Sequence, residues 1–191
     1  AYRSVGIAAR QVYTPRWAHC DDNHAWVEVF VDGEWHFLGA CEPEEVLDTG
    51  WFSGPANRAI LIHTRNFSDY VKESNEEYLG KEGALYYFNH TDFYGRTKLV
   101  KILVKDENGK PAAGAHIAVE ILNMAEFFPA AVMIADADGE VQMTLGLGDI
   151  RVRAFDGIRR AEAMMRIEEE DSLELVLQEE AVPSADDTWQ T

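Results

Sequence analysis

The sequence predicts an α+β fold: an antiparallel sheet with short helices, followed by an all-β, seven-stranded Greek-key sandwich. Residues 1–96 are rich in aromatic side chains and histidines, and their turns are irregular. Residues 97–179 instead contain short alternating segments separated by turn signals, at spacings typical of a β-sandwich. Residues 180–191 are polar and contain Pro183 and Ser184, so they are predicted to be a linker or tail.

The charge of the chain excludes some partners. Its 191 residues carry 34 acidic and 17 basic side chains, a formal net charge of −17. Such a surface repels a phosphate backbone, so we expect no nucleic-acid partner. No run of 18 apolar residues is present, and we expect no membrane span. The two cysteines cannot define a disulfide framework, and no cofactor motif is evident.

The clearest local pattern in the first half is a hairpin. Residues 24–31 alternate between the two faces of a strand, Asp32-Gly33 is a two-residue turn signal, and residues 34–38 return antiparallel. The start of the first strand therefore lies near the end of the second. This places His24 beside Glu42 and predicts a histidine–carboxylate pair. Pro43 suits the first position of a short helix over residues 44–47.

A carboxylate next to an imidazole fixes its tautomer and stabilises the imidazolium. The free ring nitrogen can then take a proton from a thiol. We therefore expect His24 to be a general base and Glu42 its orienting carboxylate. Cys20 and Cys41 flank this hairpin. No predicted helix N-terminus is available to lower the pKa of the Cys20 thiol, and Cys41 abuts Glu42 and is expected to be buried or incidental.

The second half contains seven predicted strands. Turn signals separate them, among them Asn108-Gly109, Asp138-Gly139 and Asp156-Gly157. The strands are predicted at residues 98–105, 116–122, 130–134, 140–145, 150–155, 161–167 and 172–177.

The segments R-S-V-G-I-A-A-R (residues 3–10) and H-A-W-V-E-V (residues 24–29) resemble the transglutaminase-like superfamily. In that family a cysteine at a helix N-terminus, a histidine and an aspartate perform thiol acyl transfer. Here Ala8 replaces the family's proline, and Glu42 replaces its aspartate. The resemblance implies that the nucleophilic cysteine lies upstream of residue 1 and that this chain alone is inactive. It implies a protein or peptide substrate with a peptide or glutamine-type amide, with hydrolysis favoured over cross-linking.

The second half resembles a carboxypeptidase-regulatory-like or transthyretin-like β-sandwich. The resemblance rests on V-K-D-E-N-G-K-P-A-A-G-A-H-I-A-V (residues 104–119) and A-D-A-D-G-E (residues 135–140). It concerns the fold and implies no activity.

Two other interpretations stay open. The chain could be a non-catalytic binding or structural module with a relic His24–Glu42 pair. It could also be a zinc-binding hairpin, since five potential metal ligands, three histidines and two cysteines, cluster there: His19, Cys20, His24, His36 and Cys41. Neighbouring domains are expected partners, and apolar surface near Val5 and Ile7 could support a homo-oligomer.

Overall fold

The computed structural model describes residues 1–67 and 76–179. Of these residues 53% lie in strands and 7% in helices, so the prediction of an α+β fold was wrong and the chain is nearly all β. The predicted tail at residues 180–191 lies outside the described residues. No helix in the described part is long and apolar enough to cross a membrane.

The helices are single turns. A 3₁₀ turn spans Tyr2–Val5, and Gly6 ends it with a φ of 83°, in the left-handed region that favours glycine. The predicted helix over residues 44–47 is irregular instead. Val46 and Leu47 are exposed, so they offer no buried face to stabilise so short a helix. The Asp48 backbone N–H donates a hydrogen bond to Phe37 O, which holds this segment against the hairpin.

The elements follow in chain order. The strands of the first half are β1 (Ala9–Thr14), β2 (His24–Val31), β3 (Glu34–Leu38), β4 (His63–Asn66), β5 (Glu77–Glu82) and β6 (Leu85–Asn89), with helices α1 (Ser53–Ala56) and α2 (Thr91–Tyr94). The strands of the second half are β7 (Thr97–Lys105), β8 (His116–Asn123), β9 (Glu126–Ile134), β10 (Glu140–Gly146), β11 (Asp149–Phe155), β12 (Arg159–Arg166), β13 (Ser172–Val176) and β14 (Gln178–Glu179).

The first half forms a six-stranded sheet in the order β3-β2-β1-β4-β6-β5. The predicted hairpin is confirmed: Val31 pairs with Glu34 across a two-residue loop. Asp32 and Gly33 both have positive φ, 53° and 91°, as a type I′ turn requires. The hairpin places His24 at the end of the sheet where the chain leaves β3.

The second half forms a three-stranded sheet, β10-β7-β13, and a five-stranded sheet, β14-β12-β11-β8-β9. All pairings are antiparallel except that of β13 with β7. Each of the seven predicted segments contains a strand, and β14 is an addition. Alternate residues of β7 and β8, such as Ile102 and Ile117, are fully buried in the core between the sheets.

The core of the sandwich includes two residues of the first half, Ile60 and Leu61. Gly146 N–H donates to Ile60 O at 2.8 Å, and Asn89 Nδ2 donates to Thr144 O at 2.6 Å. Apolar packing and backbone hydrogen bonding thus continue across the position predicted to divide two domains. The division at residues 96 and 97 itself stays a prediction.

Gly146→Ala should weaken this junction. A Cβ at position 146 would lie 1.9 Å from Ala59 O, so backbone must shift. We expect the free energy of unfolding to fall by about 3 kcal/mol, as for an overpacked core. Urea denaturation measures this. The control is Gly54→Ala, whose Cβ meets nothing within 4 Å, and equal losses in both variants would contradict the prediction.

His63 should make the stability depend on pH. Burial, with the charge of Arg65, lowers the pKa of His63 from 6.5 to about 4. Between pH 6.5 and 4 the unfolded chain binds a proton at His63 that the folded chain does not bind. The stabilisation from neutral His63 is therefore complete above pH 6.5 and is lost as the pH falls toward 4. The loss should approach about 3 kcal/mol at about 1.4 kcal/mol per pH unit.

Urea denaturation between pH 7 and 4 measures this loss. The slope should flatten in His63→Gln and persist in His116→Gln, which removes an exposed histidine. An unchanged slope in His63→Gln would assign the pH dependence to other groups.

Candidate functional site

His24 is the first residue of β2 and pairs with Thr14 of β1. Trp26 projects from the same face two residues later, because side chains alternate along a strand. Aromatic rings surround the imidazole, with centroid distances of 4.7 Å to Trp51, 5.0 Å to Phe52, 5.8 Å to Trp26 and 6.4 Å to Trp17. The irregular segments before β2 and after β3 supply Trp17 and Trp51, so the enclosure forms only in the folded chain.

The enclosure sets the protonation of His24. Burial lowers its pKa below the usual 6.5, and the negative charges of Glu42 and Asp22 oppose that effect. His24 is therefore neutral at neutral pH. Its Nε2 is buried and has no hydrogen-bond partner among the described residues. A neutral imidazole with an unpartnered nitrogen is able to accept a proton.

Trp51 contacts both Glu42 and His24. Glu42 Oε1 accepts a hydrogen bond from Trp51 Nε1 at 3.2 Å, and the Trp51 ring lies edge-on to His24. Gly39 permits the preceding turn, because a Cβ there would lie 2.5 Å from Glu42 O. The described side chains show no direct hydrogen bond between His24 and Glu42, although the Glu42 charge acts on the imidazole. The roles of the two residues stay predictions.

A histidine–carboxylate contact occurs elsewhere on the hairpin, and the sequence reasoning missed it. His36 Nδ1 lies 2.7 Å from Asp48 Oδ2, and this hydrogen bond raises the pKa of His36. Asp48 Oδ1 also accepts from Phe37 N at 2.9 Å, which fixes the carboxylate beside β3. No spacing motif joins positions 36 and 48, so the sequence carried no signal for this pair.

The zinc hypothesis has no support in the described part of the chain. No group of three or more histidine, cysteine, aspartate or glutamate side chains there could hold a metal ion. Cys20 and Cys41 are exposed and unpaired. His36 is engaged with Asp48 rather than with the hairpin cysteines.

A buried carboxylate supports the wall of the site. Glu28 is fully buried, and Arg10 Nε donates to its Oε2 at 2.6 Å. Tyr94 donates to Oε1 at 2.5 Å and accepts from Trp26 Nε1 at 2.8 Å. His90 Nε2 lies 3.3 Å from the same Oε1. Burial raises the pKa of Glu28, but hydrogen bonding and the charges of His90 and Arg10 outweigh it and keep the pKa low.

Comparison with known proteins gives one family match. The model of the transglutaminase-like superfamily matches residues 1–40, a stretch that contains His24 and ends before Glu42. No curated protein matches this chain.

Solved structures give weak matches to pilins. The shaft pilin SpaA from Lactobacillus rhamnosus GG is 8% identical with a TM-score of 0.35, over 93% of this chain and 86% of the pilin. A streptococcal ancillary pilin is 10% identical with a TM-score of 0.31, over 90% of this chain and 62% of the pilin. The predicted likeness to carboxypeptidase-regulatory-like domains in particular is not found among these matches.

Trp51→Ala should raise the pKa of His24. The substitution removes a ring 4.7 Å from the imidazole, which reduces the desolvation that lowers the pKa, and it frees the Glu42 carboxylate. A titration of the histidine ring resonances by NMR measures the shift. Trp35→Ala, which removes a tryptophan stacked on Arg10, should leave the His24 pKa unchanged. A downward shift in Trp51→Ala would contradict this account.

Proposed function

We propose that this chain supplies the base and carboxylate of a transglutaminase-like thiol acyl-transfer site that acts on peptide or glutamine-type amides. The observation that carries the proposal is the neutral, aromatic-enclosed His24 with its buried, unpartnered Nε2. The match of residues 1–40 to the transglutaminase-like superfamily supports the same chemistry.

His24 acts as a base twice in the proposed reaction, first toward a thiol and then toward water. Nε2 takes the proton of a thiol, and the thiolate attacks the amide carbonyl carbon. The C–N bond then breaks, the amine leaves with the proton from His24, and a thioester remains. Water then gives a proton to His24 and attacks the thioester carbon, the C–S bond breaks, the carboxylic acid is released, and the thiolate takes the proton back from His24. The Glu42 charge stabilises the imidazolium, and Trp17, Trp26 and Trp51 limit the access of water to it.

The proposal assigns the nucleophile to neither cysteine of this chain. Cys20 and Cys41 are both exposed, and neither belongs to a helix. Reactive thiols are typically placed at a helix N-terminus or beside a cationic group. The chain by itself is therefore expected to lack amidase and transamidase turnover.

One contact favours a second candidate, a binding or structural module in which the histidine and carboxylate are relics. Among the described residues Glu42 makes no hydrogen bond to the imidazole, and its Oε1 accepts instead from Trp51 Nε1. In that case the aromatic side chains serve as a contact surface rather than as an enclosure for a base.

A small thiol supplied in solution tests the proposal. We expect the wild-type chain to accelerate attack of 2-mercaptoethanol on a p-nitrophenyl ester, measured as nitrophenolate release over the buffer rate. His24→Ala should lower this acceleration by about a hundredfold, the usual scale for a lost general base. His116→Ala, which removes an exposed sandwich histidine, should retain it.

A double variant, Cys20→Ser with Cys41→Ser, should also retain the acceleration, because the thiol comes from solution. Equal rates in wild type and His24→Ala, including rates equal to buffer, would favour the binding module. Loss of the rate in the double serine variant would identify one of the chain's own cysteines as the nucleophile and contradict the assignment.

A further inference from the structure

A groove among the described residues lies away from His24. It has a volume of about 850 Å³, and its floor is formed by Tyr13, His63, Arg65 and Tyr87. Thr14 pairs with His24 and therefore shares its face of the sheet, whereas Tyr13 pairs with Ala25 on the opposite face. The groove is thus a separate surface from the proposed acyl-transfer site.

Two sheet edges border this groove. Residues 79–82 of β5 line one side and residues 128–134 of β9 line the other. Among the described residues, β5 is the last strand of the six-stranded sheet and β9 the last of the five-stranded sheet. An edge strand has backbone N–H and C=O groups on its outer side that are not hydrogen-bonded to another strand of the sheet.

The backbone of β9 directs such groups outward at its exposed end. Ala135 N–H donates inward to Ala115 O at 2.9 Å. Because inward and outward donors alternate along an antiparallel strand, the N–H groups of Val132 and Ile134 point away from β8. The side chains of these two residues are 52% and 64% exposed and form an apolar pair beside this edge. An extended segment could pair with this edge and cover both side chains.

The charge of the groove is opposite to that of the chain. The cations of the lining are Arg65 and Lys81, and Glu82 is the one acidic residue among the described residues that line it. Glu82 accepts a hydrogen bond from Tyr87 at 3.1 Å. The formal charge of the whole chain is −17, so a groove with a local excess of cations attracts anionic groups that the rest of the surface repels on average.

Aromatic rings hold the Arg65 guanidinium in the groove. The guanidinium lies 4.1 Å from the Tyr13 ring and 5.9 Å from the Tyr87 ring, which fixes its position over the floor. Its Nε is buried and has no hydrogen-bond partner among the described residues. A planar guanidinium with free donors binds a carboxylate in two parallel hydrogen bonds.

We propose that this groove binds an extended acidic peptide segment of a partner protein, which pairs with the β9 edge and places a carboxylate on Arg65. The edge strand favours an extended backbone, and the Arg65 guanidinium, whose Nε has no hydrogen-bond partner among the described residues, favours an acidic side chain. This proposal does not depend on the acyl-transfer chemistry, because the two sites lie on opposite faces of the sheet.

The probe is a fluorescein-labelled peptide, acetyl-Thr-Val-Glu-Val-Thr-Val, and the measurement is fluorescence anisotropy. We expect replacement of its glutamate by glutamine to weaken binding by about tenfold, equivalent to about 1.4 kcal/mol. Alternate backbone N-methylation of the peptide should abolish binding, because it removes the strand pairing. Amide hydrogen exchange at Val132 and Ile134 should slow when the unmethylated peptide binds.

The protein variants give matched controls. Arg65→Gln should weaken binding by about tenfold or more. Arg166→Gln, which removes an exposed arginine paired with Asp149 and Glu169, should leave the affinity unchanged. The glutamate-to-glutamine peptide comparison needs no protein variant, so it holds even if Arg65→Gln perturbs the fold.

Three results would overturn the proposal. The first is no binding of the glutamate peptide at about 1 mM, the weak limit of specific recognition. The second is equal affinity for the glutamate and glutamine peptides, or for the N-methylated one. The third is an Arg65-dependent dimer of the chain alone in sedimentation equilibrium, which would make a second copy the occupant.

Discussion

The arrangement of the first sheet depends on the buried Glu28 carboxylate. It is ionised in the interior, where an unpaired charge would cost several kcal/mol, and it persists because Arg10 and Tyr94 bond its two oxygens. Arg10 belongs to β1, Glu28 to β2 and Tyr94 to α2, so one carboxylate fixes three elements. Tyr94 also accepts from Trp26, whose ring forms part of the wall around His24. The position of the candidate base thus rests on a charge network below it.

Polar side chains also fix the junction between the two halves of the chain. Asn89, the last residue of β6, donates from Nδ2 to Thr144 O of β10. The Glu77 carboxylate accepts from Thr144 N at 3.1 Å. Ile60 and Leu61 enter the sandwich core beside these bonds. Apolar burial stabilises the junction, and the hydrogen bonds fix its register because a shifted arrangement would leave buried polar groups unpaired. Gly146 allows the two backbones to approach closely at this place.

Because side chains alternate along each strand, the two candidate sites lie on opposite faces of one sheet. On one face, β2 presents His24, Trp26 and Glu28, which produce a desolvated imidazole. On the other face, Tyr13 and Arg65 produce a cationic groove beside a free edge. Neighbouring residues on β1, Tyr13 and Thr14, belong to different faces, so the two sites are close in sequence and separated by the thickness of the sheet.

The sequence by itself determined the local features of this protein. Period-two alternation located the seven strands of the sandwich, and Asp32-Gly33 located the hairpin that brings His24 to the end of the sheet, because a strand and a two-residue turn are set by residues a few positions apart. A local signal also failed where context mattered: Pro43 and the following glutamates predicted a helix, but Val46 and Leu47 are exposed and have no surface on which to pack.

The tertiary structure alone decided the partners of the site. It brought Trp51 between Glu42 and His24, joined Asp48 to His36, and placed Tyr94 on Glu28, 66 positions away. It also set the sheet edges beside the groove. Such contacts depend on how whole elements pack, and packing is a property of the assembled core rather than of any local pattern.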